Sequence, residues 1–151
     1  LTRPSDKEQL LDETFAFNRK LRAFFDARVR ERGLTLARAR ALMALSRRGA
    51  LNQRELAEEL EIETPTLVRV LDSMEKQGLI ERRAEENDRR VKQIHMTAQG
   101  LAAYETVHAL SAELREELMS NVAAEEISTT LDVIRRMTAN ILTIGAEKVQ
   151  P

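Results

Sequence analysis

The side chains best placed to do chemistry lie between residues 64 and 97. In the run TPTLVRVLDSMEKQG, Thr66, Arg69, Ser73 and Lys76 fall at helical spacing, while Leu67, Val68, Leu71 and Met74 form an apolar stripe for burial. A helix patterned this way presents a row of hydrogen-bonding groups outward. Arg69 can fork to O6 and N7 of a guanine, an interaction that discriminates between bases by about 1–3 kcal/mol. Pro65 and Thr66 stand beside it near the helix start, where Thr66 can touch a thymine methyl or a phosphate. Thr64, Ser73 and Lys76 suit phosphates, which fix position without reading sequence. A solvated helix face bearing an Arg and a Lys would read the same on this segment alone.

The segment after this helix narrows the choice. Two extended stretches, about residues 79–84 and 90–96, flank a turn that ends at Asp88, and Asn87 and Asp88 tolerate turn dihedrals. Arg82, Arg83, Arg89, Arg90 and Lys92 crowd onto this hairpin. A hairpin tip is slim enough to carry an arginine into a minor groove, where narrow A·T-rich tracts concentrate negative potential. Asp88 can orient one of the neighbouring arginines through a bidentate pair. Glu85 and Glu86 work against this reading, since acids at the tip would face phosphates. The competing explanation is an edge hairpin protected by charge.

The elements that must position these groups carry clear boundaries. Ser5 and Glu8 make a capping box for a long helix ending near Arg32 and Gly33; its apolar stripe from Leu10 to Val29 is wide enough for burial on two sides. Thr35 caps a second helix that ends near Gly49. Asn52 with Glu55 caps a third, short helix, and Ile62 fills the turn after it. Thr64 is read as the cap of the fourth helix, with Pro65 in its first position and Gly78 at its end. Ile80, Ile94 and Met96 share the inward face of the hairpin. Thr97 caps a long helix carrying Val107, Leu110, Leu114 and Leu118, and a last helix carries Ile127, Leu131, Ile134, Ile141 and Ile144. Long amphipathic helices flanking a compact module most simply bury one another, within a chain and across a two-fold axis, so a homodimer is the expected state.

The chain has 151 residues and a formal net charge of −1, which looks unpromising for a nucleic-acid partner. Its distribution is more favourable. Residues 64–96 hold seven Lys/Arg against six Asp/Glu and residues 36–60 hold five against three, whereas residues 101–151 hold four against eight. With no cysteine, disulfides, thiol catalysis and thiol redox sensing are excluded. No apolar run reaches the roughly 20 residues that span a bilayer, and no signal-peptide pattern opens the sequence. The numbering starts at Leu1, as in a trimmed chain, and the expected location is cytoplasmic with no membrane partner. His95 and His108 cannot assemble the roughly four ligands of a zinc site, and no cofactor or metal is expected. No GxGxxG, P-loop, HExxH or nucleophile–base arrangement appears, so no enzymatic activity is expected.

The runs TLVRVLDSMEKQGLIER and DRRVKQIHMTAQG together resemble the recognition helix and wing of the MarR/SlyA family of bacterial regulators, and the resemblance spans almost the whole chain. It implies terminal helices interlocked as a dimer and two winged modules on a pseudo-palindrome of double-stranded DNA. By position, Thr66 and Arg69 match the recognition-helix residues that touch DNA, and Asp88, Arg89 and Arg90 match the wing motif, with an arginine in the minor groove. Val68 stands where many relatives carry a polar residue, and LTLARARALMAL is an unusual second helix. The family also implies repression relieved by small aromatic acids, other phenolics or oxidants, of which the cysteine-based oxidant branch does not apply. A ligand crevice between dimer helices and winged module would be walled by Phe24, Phe25, Met43, Tyr104 and His108, with Arg22 or Arg28 holding a carboxylate.

The expected fold is therefore mainly α with a small β-hairpin wing, a winged helix-turn-helix over residues 34–97 flanked by dimerisation helices over 1–33 and 98–151 in one MarR-like domain. The expected function is sequence-specific DNA binding by a homodimeric repressor with a small-molecule effector. The alternative is a protein-interaction scaffold that uses the same fold without DNA.

Overall fold

The structure, a computed structural model, describes residues 4–84 and 91–147. The elements run α1 (Asp6–Arg30), α2 (Leu36–Arg48), β1 (Leu51–Asn52), α3 (Gln53–Leu60), α4 (Thr64–Lys76), β2 (Ile80–Ala84), β3 (Lys92–Met96), α5 (Ala98–Met119) and α6 (Ala124–Glu147). The chain divides into two compact units, Leu1–Leu114 and Arg115–Pro151.

Helix starts follow the side chains that satisfy their free N–H groups. Ser5 and Glu8 close a reciprocal capping box on α1, and Asn52 and Glu55 close another on α3. The Thr35 hydroxyl accepts from the Arg38 N–H at the start of α2. The cap of α4 differs from the sequence expectation by one residue. Glu63, not Thr64, is the N-cap; its side chain makes no capping bond, and its carbonyl accepts from the Thr66 and Leu67 N–H groups. Thr64 is thus the first helical residue and Pro65 the second, where a missing N–H costs nothing because first-turn donors have no partner within the helix.

The turn between α3 and α4 depends on Glu61, which adopts the left-handed conformation at φ 52° and ψ 46°. This reversal lets the Ile62 N–H donate to the Ala57 carbonyl and seats the Ile62 side chain against the core. Leu67, Leu71 and Met74 of α4 are fully buried, each contributing about 1.5–3 kcal/mol by leaving water. Val70 completes their stripe. Val68, expected in that stripe, is only half-buried, because one residue past Leu67 it is turned about 100° away from the buried line.

The hairpin is part of a three-stranded antiparallel sheet of order β1-β3-β2. The two-residue β1 was not expected: it pairs Leu51 with Ile94 and Asn52 with Gln93 immediately before α3 begins. In the other pair, Ile80 faces Met96 and Arg82 faces Ile94, so these four share the face toward the helices. Gly100, in the first turn of α5, is buried where a Cβ would lie 1.9 Å from the Leu79 carbonyl oxygen. The Thr97 hydroxyl caps α5 by accepting from the Gly100 N–H at 3.0 Å and donates to the Gly78 carbonyl at 2.5 Å.

The terminal helices are buried unevenly. Val29 near the end of α1 is buried, whereas Leu10, Leu11, Phe15 and Phe17 are exposed. On α5, Val107, Leu110 and Leu114 are buried and Leu118 is exposed. Along α6, Leu131, Ile134, Ile141, Leu142 and Ile144 are all exposed, Leu142 at 69%.

Candidate nucleic-acid interface

The outward face of α4 carries the groups expected to meet DNA. With the Leu67–Leu71–Met74 stripe turned inward, Thr64, Pro65, Thr66, Arg69 and Lys76 are exposed. Neither Arg69 nor Lys76 has a hydrogen-bond or ion-pair partner among the described residues, so both keep all their donors for a ligand. Ser73 is placed differently. It is half-buried, and its hydroxyl accepts from Arg38 Nη2 at 2.6 Å, a tie from α2 to the middle of α4.

Two acids on the same helix, Asp72 and Glu75, would repel phosphates if left alone. Both are held by Arg82 of β2, whose guanidinium donates to Asp72 Oδ1 at 2.7 Å and to Glu75 Oε2 at 2.5 Å. Burial works against the Arg82 charge, but the hydrogen bonds from Asp72 and Glu75 outweigh it and raise its pKa above the ordinary arginine value. This corrects the grouping of Arg82 with the free cations of the wing. Arg82 lies two residues after the buried Ile80, so strand alternation turns it inward. Arg83, on the other face, forms an ion pair with Glu81.

The wing-tip residues Asp88, Arg89 and Arg90 lie outside the described residues. At the described base of the wing, Lys92 is exposed. A groove of about 640 Å³ runs between the start of α3, the start of α4 and the wing strands, lined by Asn52, Gln53, Arg54, Thr64, Arg82, Val91, Lys92 and Ile94. Arg54 is paired with Glu58 at 2.9 Å across one helical turn.

Of the residues expected to hold a small ligand, Phe24, Phe25, Met43 and Tyr104 pack against the core. Phe24 and Phe25 meet edge to face at 6.0 Å, and the Arg28 guanidinium lies 5.6 Å above the Phe24 ring. Tyr104 and His108 stack at 5.5 Å with a 37° tilt; Tyr104 is half-buried against the core and His108 is exposed. Met43 is likewise half-buried against the core. Arg22 is exposed and lines a small cavity with Leu36, Ala37, Arg40, Leu60 and Ile62. Among the described residues no cluster of His, Asp and Glu could hold a metal ion, and no helix is long and apolar enough to cross a membrane.

Sequence reasoning missed the roles of Arg38, Arg40 and Arg82. For Arg82 a signal existed: inward strand parity, opposite acids spaced i and i+3 on the preceding helix. Nothing local marks Arg38, or Arg40, which donates to the Leu60 carbonyl at 2.8 Å.

Comparison with known proteins agrees with this arrangement. A model of the MarR family matches residues 32–91. The crystal structure of transcriptional regulator PA3341 is 35% identical, with a TM-score of 0.77 over 90% of this chain and 98% of that one. A mutant MarR from E. coli complexed with operator DNA is 22% identical, with a TM-score of 0.78 over 90% of this chain and 99% of that one. The PcaV transcriptional regulator from Streptomyces coelicolor, in complex with its natural ligand, is 24% identical, with a TM-score of 0.62 over 70% and 75% of the two chains. This chain, a winged helix-turn-helix with Arg69 exposed on α4 and matched over nearly its full length by a transcriptional regulator at 35% identity, belongs to the MarR family of transcription regulators.

Proposed function

We propose that this chain is a homodimeric repressor that binds a pseudo-palindromic operator and is released by a small ligand. One observation carries the DNA-binding part: α4 buries Leu67, Leu71 and Met74 and leaves the side chains of Thr66, Arg69 and Lys76 exposed and unengaged among the described residues, while its two acids are both engaged by Arg82. In this reading residues 34–97 engage DNA, Arg69 reads a base edge and Lys76 and Thr64 hold phosphates. In the wing motif Asp88, Arg89 and Arg90, an arginine enters the minor groove and Asp88 orients it. The operator complex of the E. coli MarR mutant supports the same use of the fold.

Residues 1–33 and 98–151 form the dimer interface. Support comes from the apolar side chains that a single chain leaves in water on α1 and α6, including Phe15 at 63% and Ile141 at 68% exposure. The natural-ligand complex of PcaV supports control by a small molecule. A cytoplasmic location accompanies this role.

Selection of bound fragments from the source genome tests the reading. A repressor of this kind enriches a short inverted repeat whose half-sites lie about one helical turn, 34–36 Å, apart. It also loses affinity steeply as salt rises, because binding to phosphates releases counterions. Failure to enrich any sequence, with a stable partner protein recovered instead, would identify an interaction scaffold.

A further inference from the structure

We propose that Arg38 of α2, aimed by Ser73, holds a backbone phosphate of duplex DNA on the side of α4 away from the wing. The two residues meet at 2.6 Å, the Ser73 hydroxyl accepting from Arg38 Nη2. Among the described residues the Arg38 guanidinium has no other hydrogen-bond or ion-pair partner. The residue is half-buried, so its charge gives up part of its hydration without gaining an acid in return. The acids that neighbouring elements bring here are engaged elsewhere. Asp26, which α1 brings to the start of α2, accepts from Arg30 and the Leu36 N–H. Asp72, next to Ser73 on α4, and Glu75 are engaged by Arg82. Arg38 therefore keeps the rest of its N–H donors for an anion from outside the chain.

Its place beside α4 says which anion. Successive helical residues turn by about 100°, so the order round the outward arc of α4 is Glu75, Asp72, Lys76, Arg69 and then Ser73. Arg82 of β2 fastens the Asp72–Glu75 flank, and Arg38 of α2 fastens the Ser73 flank. Lys76 and Arg69 stand exposed between them. A helix seated in a major groove about 12 Å wide has a sugar–phosphate wall on each side. With Arg69 turned to the base edges and the wing over one wall, Arg38 stands against the other. An arginine fork matches two phosphate oxygens. The Ser73 hydroxyl, having accepted from Arg38, still has its own proton to donate to the same phosphate. This inference rests on the DNA-binding reading of α4 and adds α2 to the surface that meets the duplex.

The test maps ethylation interference on the selected operator, in which single phosphates are blocked, and measures the salt dependence of affinity. Both are run on the full chain as wild type, Arg38→Gln, Arg38→Lys and Arg47→Gln. Wild type should show interference in each half-site at a phosphate on the wall away from the wing. Arg38→Gln should lose that signal alone and bind about tenfold more weakly. Its slope of log affinity against log salt should shrink by about 0.9 for each phosphate released. Arg47→Gln removes an equal charge from the far end of α2, where Arg47 pairs with Glu59, and should keep both slope and pattern. If Arg38 only braces α4, Arg38→Gln loses affinity with slope and pattern unchanged, and the proposal is overturned. An equal slope loss in Arg47→Gln overturns it too, by assigning the effect to overall charge. Should Arg38→Gln fail to fold, Arg38→Lys decides. A lysine keeps the charge but not the fork, so the interference signal should weaken while the slope holds. A signal equal to wild type in that variant overturns the proposal. A wild type that selects no operator would sink the DNA-binding reading and this inference together, whereas an operator bound identically by all four proteins would sink this inference alone.

Discussion

Asp72 and Arg82 meet at 2.7 Å, and the same guanidinium reaches Glu75, so the first wing strand is fastened to the middle of the recognition helix. The arginine side chain is only 17% exposed, but the carboxylates are 61% and 42% exposed. Solvent screening therefore keeps the contribution to stability near 1 kcal/mol. The larger consequence is electrostatic, because two negative charges on the α4 face proposed to meet DNA share one guanidinium, which offsets half of their charge from within the protein. Arg82→Gln is expected to lower Tm by only a few degrees yet weaken operator binding about tenfold. Adding Asp72→Asn and Glu75→Gln to the same chain should recover most of the affinity, as read by fluorescence anisotropy. A defect that persists after neutralisation would mean that Arg82 acts through wing geometry alone.

Gly100 marks a close approach of α5 to the chain after α4. A Cβ there would sit 1.9 Å from the Leu79 oxygen and 2.7 Å from Met96 Cγ, and the first of these is backbone that cannot swing away. Gly100→Ala should therefore cost about 3 kcal/mol, at the upper end of overpacking effects. Urea unfolding measures it; a midpoint equal to wild type would show that the α5 start can move aside.

Asp26 links α1 to α2 by accepting from Arg30 at 2.6 Å and from the Leu36 N–H at 3.1 Å. The Arg30 hydrogen bond first, and the Leu36 N–H second, hold its carboxyl below the ordinary aspartate value of 3.8. Because the folded pKa is the lower one, the ionised group favours the folded state. Its contribution is full above the ordinary value and disappears as pH falls through the folded value. Asp26→Asn should thus be less stable than wild type at pH 7, with the gap closing in acid. Denaturation midpoints at several pH values check this, and a gap that stays constant into acid would rule out the carboxylate as its source.

Ser73 and Lys76 lie on the same helix but should respond differently. Lys76→Ala removes a free cation, so the slope of log affinity against log salt should shrink by about 0.9 for each phosphate no longer neutralised. Ser73→Ala removes the acceptor of Arg38, and should cost about 1 kcal/mol of stability with the salt slope unchanged. A slope change in the serine variant would show that this hydroxyl supports the charged groups that hold phosphate.

Much of this architecture is written locally. Ser5 with Glu8 and Asn52 with Glu55 announce their helices because a cap needs only residues three apart. The inward stripe of α4 is equally local, although Val68 shows that adjacent apolar residues do not share one face. The features that escaped are those set by tertiary pairing. The two-residue β1 exists only because β3 lies alongside it, and Arg38 and Arg40 find a hydroxyl and a carbonyl on helices 20 or more residues away in sequence. The Glu61 reversal was hidden too, since the position lacks the glycine that usually signals a left-handed turn.

The most direct measurement is site selection from a random DNA library with wild-type protein and Arg69→Ala in parallel. Wild type should enrich an inverted repeat, and the variant should lose preference at one symmetric position per half-site by about 1–3 kcal/mol while keeping the rest of the motif. An identical motif from both proteins, at identical affinity, would contradict base reading by this face of α4.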